Sequence, residues 1–376
     1  MSIQPFKIGI PEAVLLDLKE RLAQTRWPDE VEGSGWDYGT NLDYLKDLVD
    51  YWQNKYDWRA QEEALNQFNQ FRAEIDGVCI HFIYERGKGS NPVPIILTHG
   101  WPDSFYRFYK VIPMLTDPGS YGGDPKNSFD VIVPSIPGYG FSDRKAMAED
   151  DVADLWVKLM IDELGYERFA AAGGDYGTLI TRSLALNYPD RLIAIHLTDV
   201  GYPDRSTDFS TLSPAEREFA DFIQKWWMEE GAFNMIQSTK PQSLAYGLND
   251  SPAGLAAWIL SFMNAKASID LEERFTRDEL LTNIMIYWVT ETINSSIRAY
   301  YEMAHAEPSP NKGKRIMVPS AVAHMPLDAP VPREWAERNV NLKRFTEMPR
   351  GGHFSAWEVP ELYAKDLQEF FGEFRK

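Results

Sequence analysis

The sequence predicts an α/β fold built on a mainly parallel sheet, interrupted by a helical insertion and preceded by a helical extension. Three observations predict it. Short apolar runs at residues 78–84, 94–98, 129–134, 169–172 and 192–197 alternate with helical patterns such as 151–164 and 177–186. Continuous apolar strands separated by helices are covered on both faces, the signature of a parallel sheet. The alternation stops over residues 201–312, which are helical in period, aromatic and methionine-containing, and resumes with strand patterns at 314–323 and 341–347. The third observation is a Gly-X-Asp-X-Gly turn joining a strand to a helix at residues 173–177.

Each segment follows from its pattern. Pro11 opens a helix whose Leu15, Leu16, Leu18 and Leu22 share a face, and Leu42, Leu45, Leu48, Val49 and Trp52 mark a second. Residues 1–76 therefore read as an extension that packs on the core and the lid and has no sheet of its own. Residues 77–200 are the first part of the core, 201–312 a lid, and 313–376 the second part of the core, closed by an amphipathic helix at 358–372.

Composition narrows the partners. Of 376 residues, 38 are basic and 56 acidic, a net charge of −18 that repels phosphate backbones and anionic lipid surfaces. Nucleic acid is therefore not an expected partner. The single cysteine, Cys79, permits no intramolecular disulfide and no cysteine zinc cluster, and its strand context reads as a buried apolar position. No apolar stretch approaches the roughly 18–20 residues that span a bilayer. The N-terminal residues lack a signal-peptide pattern, so a cytoplasmic address is expected. Neither GxGxxG nor HExxH occurs, and no cofactor or metal is expected.

The turn Gly173-Gly174-Asp175-Tyr176-Gly177 has the strand–turn–helix context of a nucleophile elbow, which points to the α/β-hydrolase fold. Most such elbows present serine. A serine that attacked a saturated carbon would form an ether, which resists cleavage, whereas a carboxylate forms an ester that activated water can hydrolyse. Asp175 thus points to attack on an epoxide or alkyl halide carbon. The bland alternative is an aspartate that merely caps the next helix.

Partners fall where this fold places them. His99-Gly100-Trp101-Pro102 follows a strand, and the Trp101 and Tyr176 amides would form an oxyanion hole. His99 reads as structural, holding this loop. Pro134-Ser135-Ile136-Pro137-Gly138-Tyr139-Gly140 reads as a tight connection. Of six histidines, His353 follows the last strand pattern, the position of a general base, and Asp328 follows the preceding one, where it can orient the imidazole.

With these residues in place, the whole chain resembles the microsomal-type epoxide hydrolases, which include juvenile-hormone epoxide hydrolases and bacterial relatives. The carriers are Arg26-Trp27-Pro28, the His99–Pro102 loop, the elbow, Thr239-Lys240-Pro241-Gln242, Leu248-Asn249-Asp250-Ser251-Pro252 and Arg350-Gly351-Gly352-His353-Phe354. The resemblance implies nucleophile Asp175, base His353 and acid Asp328. It also implies two lid tyrosines that protonate the epoxide oxygen. One falls on Tyr300, beside Tyr301; the other falls on Phe233, which cannot donate a hydrogen bond. Tyr246 is the nearby tyrosine that could substitute, which makes Trp101, Phe233 and Tyr246 the expected substrate contacts. The tryptophans Trp226, Trp227, Trp258 and Trp288 read as core packing rather than substrate wall. Membrane-anchored members carry an N-terminal apolar helix that these residues lack.

The expected reaction converts a lipophilic epoxide and water to a diol, with no further partner and a homodimer as the one self-association kept in view. Two alternatives stand beside it. A haloalkane dehalogenase would share the aspartate but needs halide donors, and Trp101 stands where such enzymes carry a short polar residue. A silent binding protein on the same fold is encouraged by Phe233 and opposed by the intact Asp175, Asp328 and His353.

Overall fold

A computed structural model describes residues 3–204, 207–265, 270–307, 309–311 and 313–375. Among these, nine strands form one sheet: β1 (Gln4–Phe6), β2 (Gln70–Ile75), β3 (Val78–Glu85), β4 (Val93–Thr98), β5 (Phe129–Pro134), β6 (Phe169–Gly173), β7 (Leu192–Leu197), β8 (Ile316–His324) and β9 (Val340–Glu347). Their order is β1-β2-β3-β5-β4-β6-β7-β8-β9. The first three pairings are antiparallel, and everything from β5 to β9 is parallel. β5, β6 and most of β4 and β7 are buried, as their unbroken apolar sequences require.

The parallel half matches the expectation; the N-terminal boundary does not. β1 and β2 come from the segment expected to be mostly helical and to have no sheet of its own; they join the core sheet instead. β2 pairs with β3 through a two-residue turn, Asp76-Gly77, both at positive φ (52° and 73°). That backbone matches the twist of a hairpin, and Asp-Gly is its strongest short-range signal. The extension therefore has two parts, a helical arm and a hairpin strand that belongs to the core sheet. Cys79, on β3, is half-buried rather than buried.

The insertion has no strand among its described residues and is built of seven α-helices from Pro214–Glu230 to Ile293–His305. Ser213 with Glu216, and Thr276 with Glu279, close capping boxes that fix where two of them begin. Arg277–Thr290 is buried on nearly every side, and its Asn283 and Tyr287 bond the carbonyls of Pro102 and Asp103 at 2.7 and 2.5 Å. The lid is thereby tied to the loop after β4. The helical arm grips it from outside: Thr40 bonds the Ala257 carbonyl, Tyr51 bonds Asp278, and Arg21 pairs with Asp250.

Candidate active site

Loops at the carboxyl ends of five parallel strands, β4, β6, β7, β8 and β9, converge here. After β6, Asp175 sits at φ 57°, ψ −129°, a backbone that non-glycine residues rarely adopt, at the head of the helix Tyr176–Asn187. The strain persists because the surroundings leave no alternative. Gly177 lies so close to the loop after β4 that a Cβ would run into the Thr98 carbonyl. Asp199, after β7, braces the bend from below, accepting from the Asp175 amide (3.3 Å), the Thr178 hydroxyl (2.9 Å) and the Gly201 amide (3.1 Å).

Each carboxylate oxygen of Asp175 has its own partner. Oδ1 accepts the Trp101 amide at 2.8 Å, and Oδ2 lies 3.2 Å from Nε2 of His353. Gly100 permits the first contact, since a Cβ there would strike the Asp175 side chain. Nδ1 of His353 lies 3.2 Å from Oδ2 of Asp328. The structure thus brings Asp175, His353 and Asp328 into one line. The Tyr176 amide opens the helix directly after Asp175, and the Tyr176 hydroxyl points away to the Met147 carbonyl. His99 accepts from the Ile136 amide at 3.1 Å through Nε2 and reaches the Gly100 carbonyl through Nδ1. It staples the two loops together.

Charges set the protonation. Burial would lower the His353 imidazole, but the Asp328 charge and the contact with Asp175 outweigh it and lift the pKa well above its ordinary value. Burial pushes Asp328 the other way, and His353 more than compensates, holding the carboxyl below its ordinary range. Asp199 differs. Burial raises it, and the neighbouring Asp328 charge raises it further.

Above the triad lies a cavity of about 400 Å3, lined by Asp175, Asp328 and His353 at its base and by Trp226, Trp227, Phe233 and Phe262 on its walls. Trp226 and Trp227 are therefore wall residues, contrary to the packing role expected. Trp258, bonded to Gln237, and Trp288, beneath Arg21, do pack within the lid. Phe233 faces this site: its ring stacks on Trp101 (5.6 Å, 7°) and meets Phe262 and Tyr300 edge-on. Tyr300 lies edge-on to Trp101 at 5.9 Å, and burial together with the Asp175 charge raises its phenol well above the ordinary value. Tyr301 turns outward and stacks on His305.

Tyr246 is the correction. It is 71% exposed and lines a separate groove with Arg21, Trp288 and Arg298, so it does not replace the missing phenol. Its helix, Pro241–Asp250, buries Ala245 and Leu248 and turns Tyr246 outward. Sequence reasoning missed Asp199, the buried ion pair Asp103–Arg107, and Tyr202, a half-buried tyrosine lining the cavity. The position of Asp199, directly after a strand of the parallel run, was the available signal.

No helix among the described residues is long and apolar enough to cross a membrane, and no cluster of three or more metal-ligating side chains occurs among them. Residues 3–108 match the model of the epoxide hydrolase N terminus, and residues 93–358 that of the alpha/beta hydrolase fold. The chain is 41% identical to a putative epoxide hydrolase of Stigmatella aurantiaca, covering 100% of this chain and 86% of that one. It is 37% identical to epoxide hydrolase 1 of Sus scrofa, covering 99% and 89%. The structure of juvenile hormone epoxide hydrolase from Bombyx mori superposes with a TM-score of 0.90 at 32% identity, over 100% of this chain and 95% of that one. An aspartate elbow facing a histidine and a second aspartate, and full-length similarity to these enzymes, establish that this chain belongs to the epoxide hydrolase family on the α/β-hydrolase fold.

Proposed function

We propose that the protein hydrolyses a lipophilic epoxide to a vicinal diol in two stages through an ester on Asp175. The observation that carries this reading is the division of labour at the Asp175 carboxylate. Oδ1 is held by the Trp101 amide, and Oδ2, whose one partner is His353, is the oxygen that attacks. Attack forms the Oδ2–carbon bond and breaks the ring C–O bond. The Tyr300 phenol is the proton donor to the departing oxygen. In the second stage His353 takes a proton from water, whose oxygen adds to Cγ of the ester. The resulting oxyanion on Oδ1 is stabilised by the Trp101 and Tyr176 amides. Collapse cleaves the bond between Cγ and the alkyl oxygen; His353 returns its proton to that oxygen and the diol departs, while the carboxyl proton left on Asp175 goes back to the Tyr300 phenolate.

The charge pattern supplies the timing. In the resting protein His353 faces two carboxylates that favour imidazolium. Esterification removes the Asp175 charge, leaving Asp328 alone. The imidazole pKa then falls, and the ring becomes a base when a base is needed. The aromatic walls suit an apolar epoxide, and the two aspartates at the floor disfavour an anionic one.

His353→Gln tests this directly. Mixed with a styrene-type epoxide, the variant should gain the mass of the epoxide on the peptide bearing Asp175, and produce no diol. An unmodified peptide across aryl, terpenoid and aliphatic epoxides would refute the covalent route.

A further inference from the structure

Arg107 is a guanidinium only 1% exposed, with a role in neither stage above. Its Nη1 donates to Oδ2 of Asp103 at 2.5 Å, and its Nη2 donates to the carbonyl of His353 at 2.6 Å. The other oxygen of Asp103 accepts the Gly100 amide at 2.7 Å, one residue before the amide that holds Asp175. The guanidinium also lies against the elbow, where a Cβ on Gly174 would sit 2.8 Å from Nη2. One buried cation therefore borders the oxyanion loop, the elbow and the base loop.

A buried ion pair is weak evidence for a contribution to stability, because desolvation of both charges offsets their attraction. The contacts point elsewhere. Burial opposes charge on Asp103, yet Arg107 and His99 hold its pKa at about 2, so the pair stays ionised at all working pH. The fixed fork of arginine suits it to span two acceptors at once, which a lysine cannot do in the same geometry.

We propose that Arg107, with Asp103, is a positioning residue for ester hydrolysis, fixing the base loop and the oxyanion turn in one register. Ring opening needs the proton donor and a carboxylate held at one oxygen by the Trp101 amide, and makes no demand on the base loop. Hydrolysis needs water placed by His353 and an oxyanion received by the Trp101 amide, groups on two separate loops. Arg107 bridges those loops. It rests on the covalent reading above, and its test is a comparison with a wild type that forms and clears the ester.

Removing Arg107 alone orphans a buried carboxylate, so Arg107→Met is expected to fold poorly. The neutral pair Asp103→Asn/Arg107→Met avoids this and carries the test. Rapid quench with mass spectrometry on an aryl epoxide would follow the ester on Asp175 in one turnover. Hydrolysis should slow by about 100-fold, the scale of a misplacement near 1 Å, while ester formation changes far less, so ester accumulates. Arg107→Lys should recover part of the hydrolysis rate. A folded neutral pair that clears ester at the wild-type rate, or one that loses both stages equally, would overturn the proposal. A wild type that forms no ester would instead remove the covalent reading.

Discussion

In the proposed reaction Tyr300 and His353 act in different stages, and their substitutions should fail in different places. Tyr300 faces Trp101 and Phe233, and no second phenol stands at Phe233 to share its task. Tyr300→Phe should therefore slow ester formation by about 10²–10⁴-fold, the usual worth of a positioned acid, while preformed ester is still cleared. Stopped-flow burst kinetics separate the two, and an undiminished burst would exclude Tyr300 as the donor. His353 carries the pH prediction. Its neutral form is the base, so hydrolysis should rise with pH through the imidazole pKa. Esterification removes one of the two carboxylates that raise that pKa. The rising limb for ester hydrolysis should lie below the imidazole titration of the free protein seen by NMR. Coincident values would mean that the Asp175 charge does not set the base.

At the scale of elements, the elbow is the demanding one. β6 ends in alanines and glycine, and the following helix lies close enough that Gly177 touches the neighbouring loop. Gly177→Ala should cost about 1–3 kcal/mol of stability, the range for overpacking, and should displace the Trp101 amide from Asp175. Denaturant unfolding and kcat together check this; full activity at unchanged stability would contradict the packing described. The helix Ile293–His305 offers a control. Tyr301→Phe alters an outward ring and should leave turnover unchanged.

For the whole molecule, acid stability follows from buried carboxylates. Asp103 and Asp366 are both held at about 2, against burial, by Arg107 with His99 and by His196 with Arg344 respectively. Their folded pKa values lie below the unfolded ones, so their stabilisation is present above about pH 4 and is lost as pH falls from 4 towards 2. Urea unfolding at pH 7, 4 and 3 should show the midpoint dropping most steeply over the last interval. A flat midpoint there would show that the pairs contribute nothing to folding.

Much was legible in the chain because it rests on local rules. Apolar runs fixed the parallel strands, the Gly-X-Asp-X-Gly turn fixed Asp175, and position after a strand fixed Asp328 and His353, since in this fold strand ends converge on one edge. What escaped is non-local. A short strand such as β2 gains its identity from the hairpin partner. Tyr246 and Tyr300 are both helical tyrosines, and only packing decides that one turns to solvent and the other against Trp101. Arg107 looks like any charged surface residue until Asp103 and the His353 carbonyl close around it. The sequence by itself determined the fold and the seat of Asp175 in the strand–helix turn, because periodicity and turn residues act within a few positions. Only the tertiary structure decided which side chains share the cavity, because burial and charge pairing depend on segments distant along the chain.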